Sequence, residues 1–155
     1  MEISEIGDRL AIEQLLVTYV DAVDTKQWDR LDDVFTPDAV IDYSSTGGPD
    51  ASGDWSRMKP WLESSLAMFT RTQHLLGKTL VTLDGDRAEC RTTFTNPMGA
   101  PVNADGVYDP EGTSLHFFTC GGWYRDRCVR TSAGWRIEHK VIEDAFFQGD
   151  LPRFG

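Results

Sequence analysis

Two ionisable side chains, Asp24 and His74, stand out because each lies among apolar neighbours at the end of a segment patterned for regular structure. Asp24 lies in YVDAVDTKQWDRL, and His74 lies in RTQHLLGK. An imidazole oriented by a carboxylate is the simplest general base that a protein can build near neutral pH. If the fold brings these two side chains together in a pocket, the sequence predicts proton abstraction.

Both residues also have a structural interpretation. Asp24-Thr-Lys-Gln27 fits a capping box, in which Asp24 caps a second helix and Gln27 occupies its third position. His74 alternates with Thr72 and Leu76 on one face of a predicted strand. A lone histidine there is commonly a hydrogen-bonded core residue. The residues alone leave both alternatives open.

Three further polar residues are candidate substrate ligands. Tyr19 lies about 1.4 helical turns before the aspartate, and Tyr43 shares the strand parity of core-facing residues. A buried tyrosine hydroxyl needs a partner, which can be a substrate oxygen or a backbone group. Asn96 ends a predicted strand face before Pro97, where its amide can orient a substrate or close a turn.

Other chemistries have little support in the sequence. His116 and His139 lie on other strands than His74, and no HxH or HExxH spacing occurs, so no metal site is expected. No GxGxxG, P-loop or GxSxG segment occurs, so no cofactor is expected. The formal charge of −10, from 25 acidic and 15 basic residues, disfavours nucleic acid and anionic membranes as partners.

The elements that must position these residues begin with helices. Apolar residues recur at helical spacing over residues 3–23, and a short second helix carries Trp28, Leu31, Val34 and Phe35 on one face. Residues 54–69 predict a third helix, in which Pro60 implies a kink or a later start. Between them we expect a turn at 36–38, a strand at 39–44 and a loop at 44–53.

The chain from residue 71 onward predicts antiparallel strands, which completes an α+β pattern. The predicted strands are 71–83, 87–98, 113–130 and 134–147, with hairpin turns at 83–86 and 131–134 and a polar loop at 99–112. Gly121 and Gly122 predict a bulge. His139 shares strand parity with Trp135 and Ile137 and is therefore expected to be structural.

Length and composition favour one folded domain over residues 1–155, with 40% apolar residues and five tryptophans. Cys90, Cys120 and Cys128 are odd in number and lack CxxC spacing, so reduced, buried thiols are expected. The N-terminus lacks the basic and apolar regions of a signal peptide. No segment approaches the ~20 apolar residues of a membrane span. These features predict a cytoplasmic protein.

The segments YVDAVDTKQWDRL, DAVIDY, RTQHLLG, GGWYRDR and GWRIEHKVI resemble, in order and spacing, those of SnoaL-like proteins. These belong to the nuclear-transport-factor-2-like superfamily, and the resemblance covers nearly the whole chain. The most similar groups are the scytalone dehydratases, bile-acid 7α-dehydratases and γ-hexachlorocyclohexane dehydrochlorinases. The resemblance implies a cone-shaped α+β barrel, with three N-terminal helices packed on a strongly curved, mostly antiparallel sheet around an apolar pocket.

The same resemblance implies roles for individual residues. In these enzymes an aspartate at the position of Asp24 and a histidine at that of His74 form a catalytic pair. Tyrosines at the positions of Tyr43 and Tyr19 serve the scytalone and bile-acid enzymes, respectively. The chain departs from the scytalone enzymes at Val23, where they have tyrosine, and it lacks their second pocket histidine.

The expected function is a cofactor-independent, dehydratase-like β-elimination on a small hydrophobic hydroxy-carbonyl, polyketide or steroid-like molecule. The alternatives are a non-catalytic binding or partner-subunit module of the same fold, and an isomerase or cyclase that uses the same base. Phe117, Trp123 and Val129 share one strand parity and predict an apolar outer sheet face. We therefore expect a homo-oligomer, a trimer by resemblance and a dimer as second choice.

Overall fold

The computed structural model describes residues 2–155. Helix α1 spans Ile3–Asp24 and is followed by a 3-10 helix, Trp28–Asp33, a single turn α2, Ser44–Gly47, and helix α3, Trp55–Leu66. The apolar periodicity of α1 predicts one buried face, and Ile12, Leu16, Tyr19 and Val23 are buried along it. This face packs against the concave side of a sheet.

Seven strands form that sheet. They are β1 (Phe35–Asp42), β2 (Ser52–Asp54), β3 (Arg71–Thr72), β4 (Leu75–Asp84), β5 (Arg87–Val102), β6 (Ser114–Thr131) and β7 (Gly134–Gln148). The order is β2-β1-β7-β6-β5-β3, with β4 also paired to β5. All pairs are antiparallel except β1 with β7. The predicted α+β class and curved sheet are confirmed, but within residues 2–155 the sheet is open and does not close into a complete barrel.

Strand β7 carries two irregularities that shape the sheet. Arg127 and Cys128 of β6 are adjacent, yet they pair with His139 and Ile137, which leaves Glu138 as an extra residue. A second shift lies between Gly121 and Trp123. The bulge predicted at this place is therefore confirmed, although its extra residue lies in β7, near Asp144, whose φ is +48°.

The predicted short second helix is present as a 3-10 helix, but its extension to Phe35 and the turn after it are wrong. The 3-10 helix ends at Asp33, and Phe35 opens β1, where it pairs with Ile137. Residues 36–38 continue that strand instead of turning. The strand tolerates Pro37 because the register between β1 and β7 shifts between Phe35 and Val40, so the missing N–H breaks no ladder bond.

The third helix begins at Trp55, because the Asp54 side chain caps it by accepting the Arg57 N–H at 3.0 Å. The later start that Pro60 suggested is therefore wrong, and the proline lies inside the helix. The expected loop 44–53 contains α2 and the start of β2. Strand β5 extends to Val102 and shortens the polar loop to residues 103–113.

The two hairpins and the three buried, free cysteines agree with the sequence predictions. The C-terminal tail packs on loop 103–113: the backbone N–H of Tyr108 donates to the Arg153 carbonyl at 2.7 Å, and the Tyr108 and Phe154 rings lie 5.6 Å apart. Within residues 2–155, no helix is both long enough and apolar enough to cross a membrane.

Candidate active site

Asp24 and His74 meet inside the fold. Asp24 is the last residue of α1, and its Oδ1 lies 2.6 Å from His74 Nδ1, while its Oδ2 accepts the backbone N–H of His74 at 2.7 Å. The Thr72 hydroxyl donates to the same carboxylate at 3.0 Å. The capping alternative for Asp24 is wrong, because Gln27 precedes the 3-10 helix and no side chain caps it there.

The polypeptide around His74 departs from the single strand predicted at 71–83. That segment is divided into β3 and β4, and the break falls at Gln73 and His74. The His74 N–H donates to Asp24, and the Gln73 N–H donates to Asn96 Oδ1 at 3.1 Å. The Gln73 N–H also donates to the Pro97 carbonyl of β5 at 3.3 Å, whereas the backbone donor of His74 is satisfied by the Asp24 carboxylate.

The carboxylate defines the protonation of the imidazole. Because an ionised carboxylate only accepts hydrogen bonds, Nδ1 carries the proton and Nε2 of the neutral ring carries the lone pair. Burial alone would raise the pKa of Asp24. Hydrogen bonds from the His74 ring, the His74 backbone N–H and the Thr72 hydroxyl, with the electrostatic attraction to the imidazole, outweigh burial and lower the pKa of Asp24. Asp24 therefore stays ionised at neutral pH.

Tyr19 and Tyr43 form a second polar feature of the site. Their hydroxyl oxygens lie 2.5 Å apart, and both side chains are buried. Tyr19 projects from the packed face of α1, and Tyr43 follows directly after β1. Burial raises the pKa of both phenols, which keeps them as neutral hydroxyl groups. A neutral hydroxyl can donate a hydrogen bond to a ligand oxygen.

Four of the five site residues predicted from the sequence line one cavity of about 450 Å³. Asp24 stands behind His74, with which it bonds. The wall is mostly apolar, and its residues are Tyr19, Val23, Tyr43, Thr46, Gly47, Trp61, Leu62, Ser65, Leu66, His74, Phe94, Asn96, Met98, Phe118, Cys120, Tyr124, Ile142 and Phe147. Because Asn96 Oδ1 already accepts the Gln73 N–H, its amide nitrogen is the group free to meet a ligand.

Sequence reasoning missed several residues of this cavity. Tyr124 is buried on β6, its ring stacks on Phe94 with centroids 4.1 Å apart, and it lies edge-on to Tyr19 at 5.7 Å. Trp61 of α3 covers the Tyr43 side of the cavity. The signal for Tyr124 was its strand parity with Phe118 and Cys120, all of which point inward.

A buried ion pair beneath the tyrosines was also missed. Lys140 Nζ lies 3.0 Å from Asp126 Oδ1, and both side chains are fully buried. Asp126 sits between two arginines in the sequence and resembles a surface charge. The extra residue Glu138 switches the parity of β7, so that Lys140 points inward. The prediction that His139 shares a strand face with Trp135 and Ile137 is therefore wrong.

No group of three or more His, Cys, Asp or Glu side chains within the described residues 2–155 could hold a metal ion. The polar groups of the site are one imidazole, one carboxylate, one amide, the hydroxyls of three tyrosines, Thr46 and Ser65, and the Cys120 thiol.

Comparisons with known proteins identify the family of this chain. The SnoaL-like domain family matches residues 4–141. The Uncharacterized protein Rv2910c of Mycobacterium tuberculosis is 42% identical over 146 residues, which cover 94% of this chain and 91% of that protein. Scytalone dehydratase arp1 of Aspergillus fumigatus is 32% identical over 84 residues, 48% of this chain and 46% of that enzyme.

Solved structures share the whole architecture. The Kfla4162 protein of Kribbella flavida superposes with a TM-score of 0.76 at 26% identity, over 92% of this chain and 95% of that one. A hexachlorocyclohexane dehydrochlorinase, LinA type 2, superposes with a TM-score of 0.74 at 14% identity, over 100% of this chain and 97% of that one, and shows the fold alone. With the family match over most of its length, this chain belongs to the SnoaL-like family, with a nuclear-transport-factor-2-like fold.

Proposed function

We propose that this protein is a cofactor-independent lyase that removes water from a small hydrophobic hydroxy-carbonyl compound. The observation that carries the proposal is the 2.6 Å contact between Asp24 Oδ1 and His74 Nδ1 on the wall of a mostly apolar cavity. This contact leaves Nε2 of His74 as the basic atom that faces the cavity. The relative named as a scytalone dehydratase supports the same reaction class.

The elimination follows from these positions. His74 Nε2 takes the proton from the carbon next to the substrate carbonyl, and Asp24 stabilises the imidazolium that forms. The electron pair of the broken C–H bond moves into an enolate. Its oxygen accepts a hydrogen bond from the Tyr43 hydroxyl, while the Tyr19 hydroxyl donates to the Tyr43 oxygen across their 2.5 Å contact. Donors aimed at such a charge in a dry site contribute roughly 3–4 kcal/mol.

The second half of the reaction expels the hydroxyl group. The enolate collapses, the β C–O bond breaks, and the carbon–carbon double bond forms. The leaving hydroxide takes a proton and departs as water. His74 Nε2 itself supplies that proton if both groups leave from the same face, which returns the imidazole to its neutral form. A histidine general base is typically worth about 10²–10⁴ in rate.

The cavity favours the smaller members of the expected substrate class. Its volume of about 450 Å³ lies in the lower half of the usual range for ligand pockets. Trp61, Phe94 and Phe118 provide flat apolar walls. Ligands with one or two rings and two oxygen atoms therefore fit the lining better than fully polar molecules do. The Asn96 amide nitrogen is a candidate donor to the second oxygen.

A direct test uses a panel of β-hydroxy ketones and hydroxy-steroids, including 4-hydroxy-4-phenylbutan-2-one, whose elimination forms an absorbing conjugated enone. We expect the wild-type protein to convert at least one compound, and His74→Gln to lose that activity by about 10²–10⁴. His139→Gln is the matched control, because His139 lies outside the cavity wall. Equal rates for wild type and His74→Gln would rule out the proposed base.

Product analysis by mass spectrometry separates the other functions of this fold. Loss of about 18 mass units, the mass of one water molecule, indicates elimination. Unchanged mass with a new retention time indicates an isomerase or cyclase that uses the same base. A compound that binds tightly and is recovered unchanged indicates a binding module. Either of the last two results across the panel would contradict the lyase proposal.

A further inference from the structure

The ion pair beneath the tyrosines has no part in the elimination described above. Lys140 Nζ lies 3.0 Å and 3.3 Å from the two carboxylate oxygens of Asp126. Both side chains have no exposed surface. A buried ion pair seldom stabilises a fold more than apolar residues of similar volume would. The position of this pair beneath the tyrosines therefore favours a functional role over a purely stabilising one.

The ammonium group contacts the tyrosine cluster directly. Lys140 Nζ lies 3.7 Å from the centroid of the Tyr124 ring and 4.2 Å from that of Tyr19. The face of an aromatic ring attracts a cation because of its quadrupole. The Tyr19 hydroxyl in turn meets the Tyr43 hydroxyl at 2.5 Å, on the wall of the cavity. A continuous path of contacts thus joins the buried charge to the ligand space.

One anion, the Asp126 carboxylate, opposes the positive charge of Lys140. Burial lowers the pKa of Lys140, and the Asp126 carboxylate acts against this. Cys90 and Cys128 also face it from β5 and β6. The pKa of Cys128 is raised by its hydrogen bond with Cys90 and by burial, so this thiol is neutral.

We propose that Lys140, fixed by Asp126, is a positioning residue that makes the tyrosine cluster an oxyanion site, so that the cavity selects ligands able to bind as an enolate or phenolate. The inference rests on the proposed function, because an enolate is the intermediate of that elimination. Lys140 touches the ring faces and not the ligand. It acts by placing a positive charge behind the hydroxyl donors, which strengthens a hydrogen bond to an anion more than one to a neutral oxygen.

The burial of the phenols fits this role. Burial raises the pKa of Tyr124 as well as those of Tyr19 and Tyr43. All three hydroxyls thus remain protonated beside the ammonium group. The cluster can therefore donate a hydrogen bond to a ligand anion instead of ionising itself.

The test compares two probes of similar shape, 4-nitrophenol and its methyl ether 4-nitroanisole. Only the phenol can bind as an anion, and its absorbance reports its ionisation in the bound state. We expect the wild-type protein to bind the phenolate at least about tenfold more tightly than the ether, and to lower the pKa of the bound phenol by about one unit. Equal affinity for phenolate and ether would overturn the proposal without any variant.

The variant Lys140→Met/Asp126→Leu removes both charges together and leaves no lone buried ion. It should lose about tenfold in phenolate affinity and keep its affinity for the ether. Lys140→Gln is a second variant that removes the ammonium alone and should show the same selective loss. Equal losses for both probes would mean that the pair only supports packing and would overturn the proposal.

The matched control is Arg125→Gln/Glu143→Gln, which removes an exposed ion pair between the same two strands, with a 2.7 Å contact. We expect no change in the selectivity of this control for phenolate. Because the readout is probe ionisation, it gives a result even if no compound is dehydrated. Turnover that depends on His74 without phenolate selectivity would overturn the Lys140 role alone. Selectivity without turnover would support the oxyanion site and count against the lyase.

Discussion

Asp24 Oδ1 lies 2.6 Å from His74 Nδ1, and Asp24 Oδ2 lies 2.7 Å from the backbone nitrogen of the same histidine, 50 positions further along the chain. One carboxylate therefore fixes both the ring and the main chain of the proposed base. Removal of its charge should consequently affect catalysis and folding by separable routes.

Asp24→Asn should lower the elimination rate by about 10²–10⁴, because an amide at this position neither stabilises the imidazolium nor enforces the same ring tautomer. The measurement is the single-turnover rate on a substrate identified from the panel. Asp21→Asn is the control, since Asp21 pairs with Arg30 at the surface. A rate for Asp24→Asn equal to that of the control would remove Asp24 from the mechanism.

The stability of the fold should fall in acid partly through Asp24. Its pKa is lower in the folded protein than in the unfolded chain, so between the two values the unfolded chain binds more protons and stability rises with pH. The contribution is fully present above the unfolded pKa, about 3.9, and is lost as pH falls through the folded pKa. Urea unfolding from pH 3 to 7 should show a shallower acid loss in Asp24→Asn than in wild type. Parallel curves would contradict this assignment.

Tyr43→Phe should reduce turnover by about 10²–10³, the typical effect of removing one donor to a developing oxyanion. It also leaves the Tyr19 hydroxyl without its 2.5 Å partner, which should cost about 1 kcal/mol of unfolding free energy. Both quantities can be measured on the same preparation. Tyr108→Phe, on loop 103–113 outside the cavity, should change neither rate nor binding. Similar rate losses in both variants would indicate a general effect.

Lys140→Met should destabilise the fold by about 3–5 kcal/mol, because it leaves the Asp126 carboxylate buried without its counter-charge. Asp126→Leu in the same chain should restore most of that stability, since an apolar pair of similar total volume replaces the ions. Urea unfolding of the single and double variants measures the difference. If the single variant is as stable as the double, Asp126 is not a buried anion in the folded protein.

The homo-oligomer expected from the sequence stays a prediction. Phe117 and Phe146 are about half exposed on β6 and β7, and Trp123 of β6 is partly buried. Phe117→Glu should shift the protein toward monomer in light scattering after size-exclusion chromatography. Leu80→Glu, at an exposed position on β4, is the control and should leave the mass unchanged. A wild-type monomer at micromolar concentration would contradict the expectation.

The sequence by itself determined those features that follow from local rules. Apolar spacing located helix α1 to within a residue, and the turn residues located both hairpins, because helix and strand periods depend on residues close in the chain. The same rules placed Tyr19 and Tyr43 on faces that turned inward. They could not decide between a helix cap and a ligand of His74 for Asp24, because that choice depends on a partner far away in sequence.

Only the tertiary structure decided the register of β7. Strand parity predicted His139 on the same face as Trp135 and Ile137, but the extra residue Glu138 reverses the parity and buries Lys140 instead. A bulge arises from hydrogen bonding to two neighbouring strands at once, which no period along one strand encodes. In the same way, the strand break lies where the Asp24 and Asn96 side chains accept the backbone N–H groups of His74 and Gln73. The chemistry of the site was therefore readable from residue types, and its geometry was set by long-range pairing.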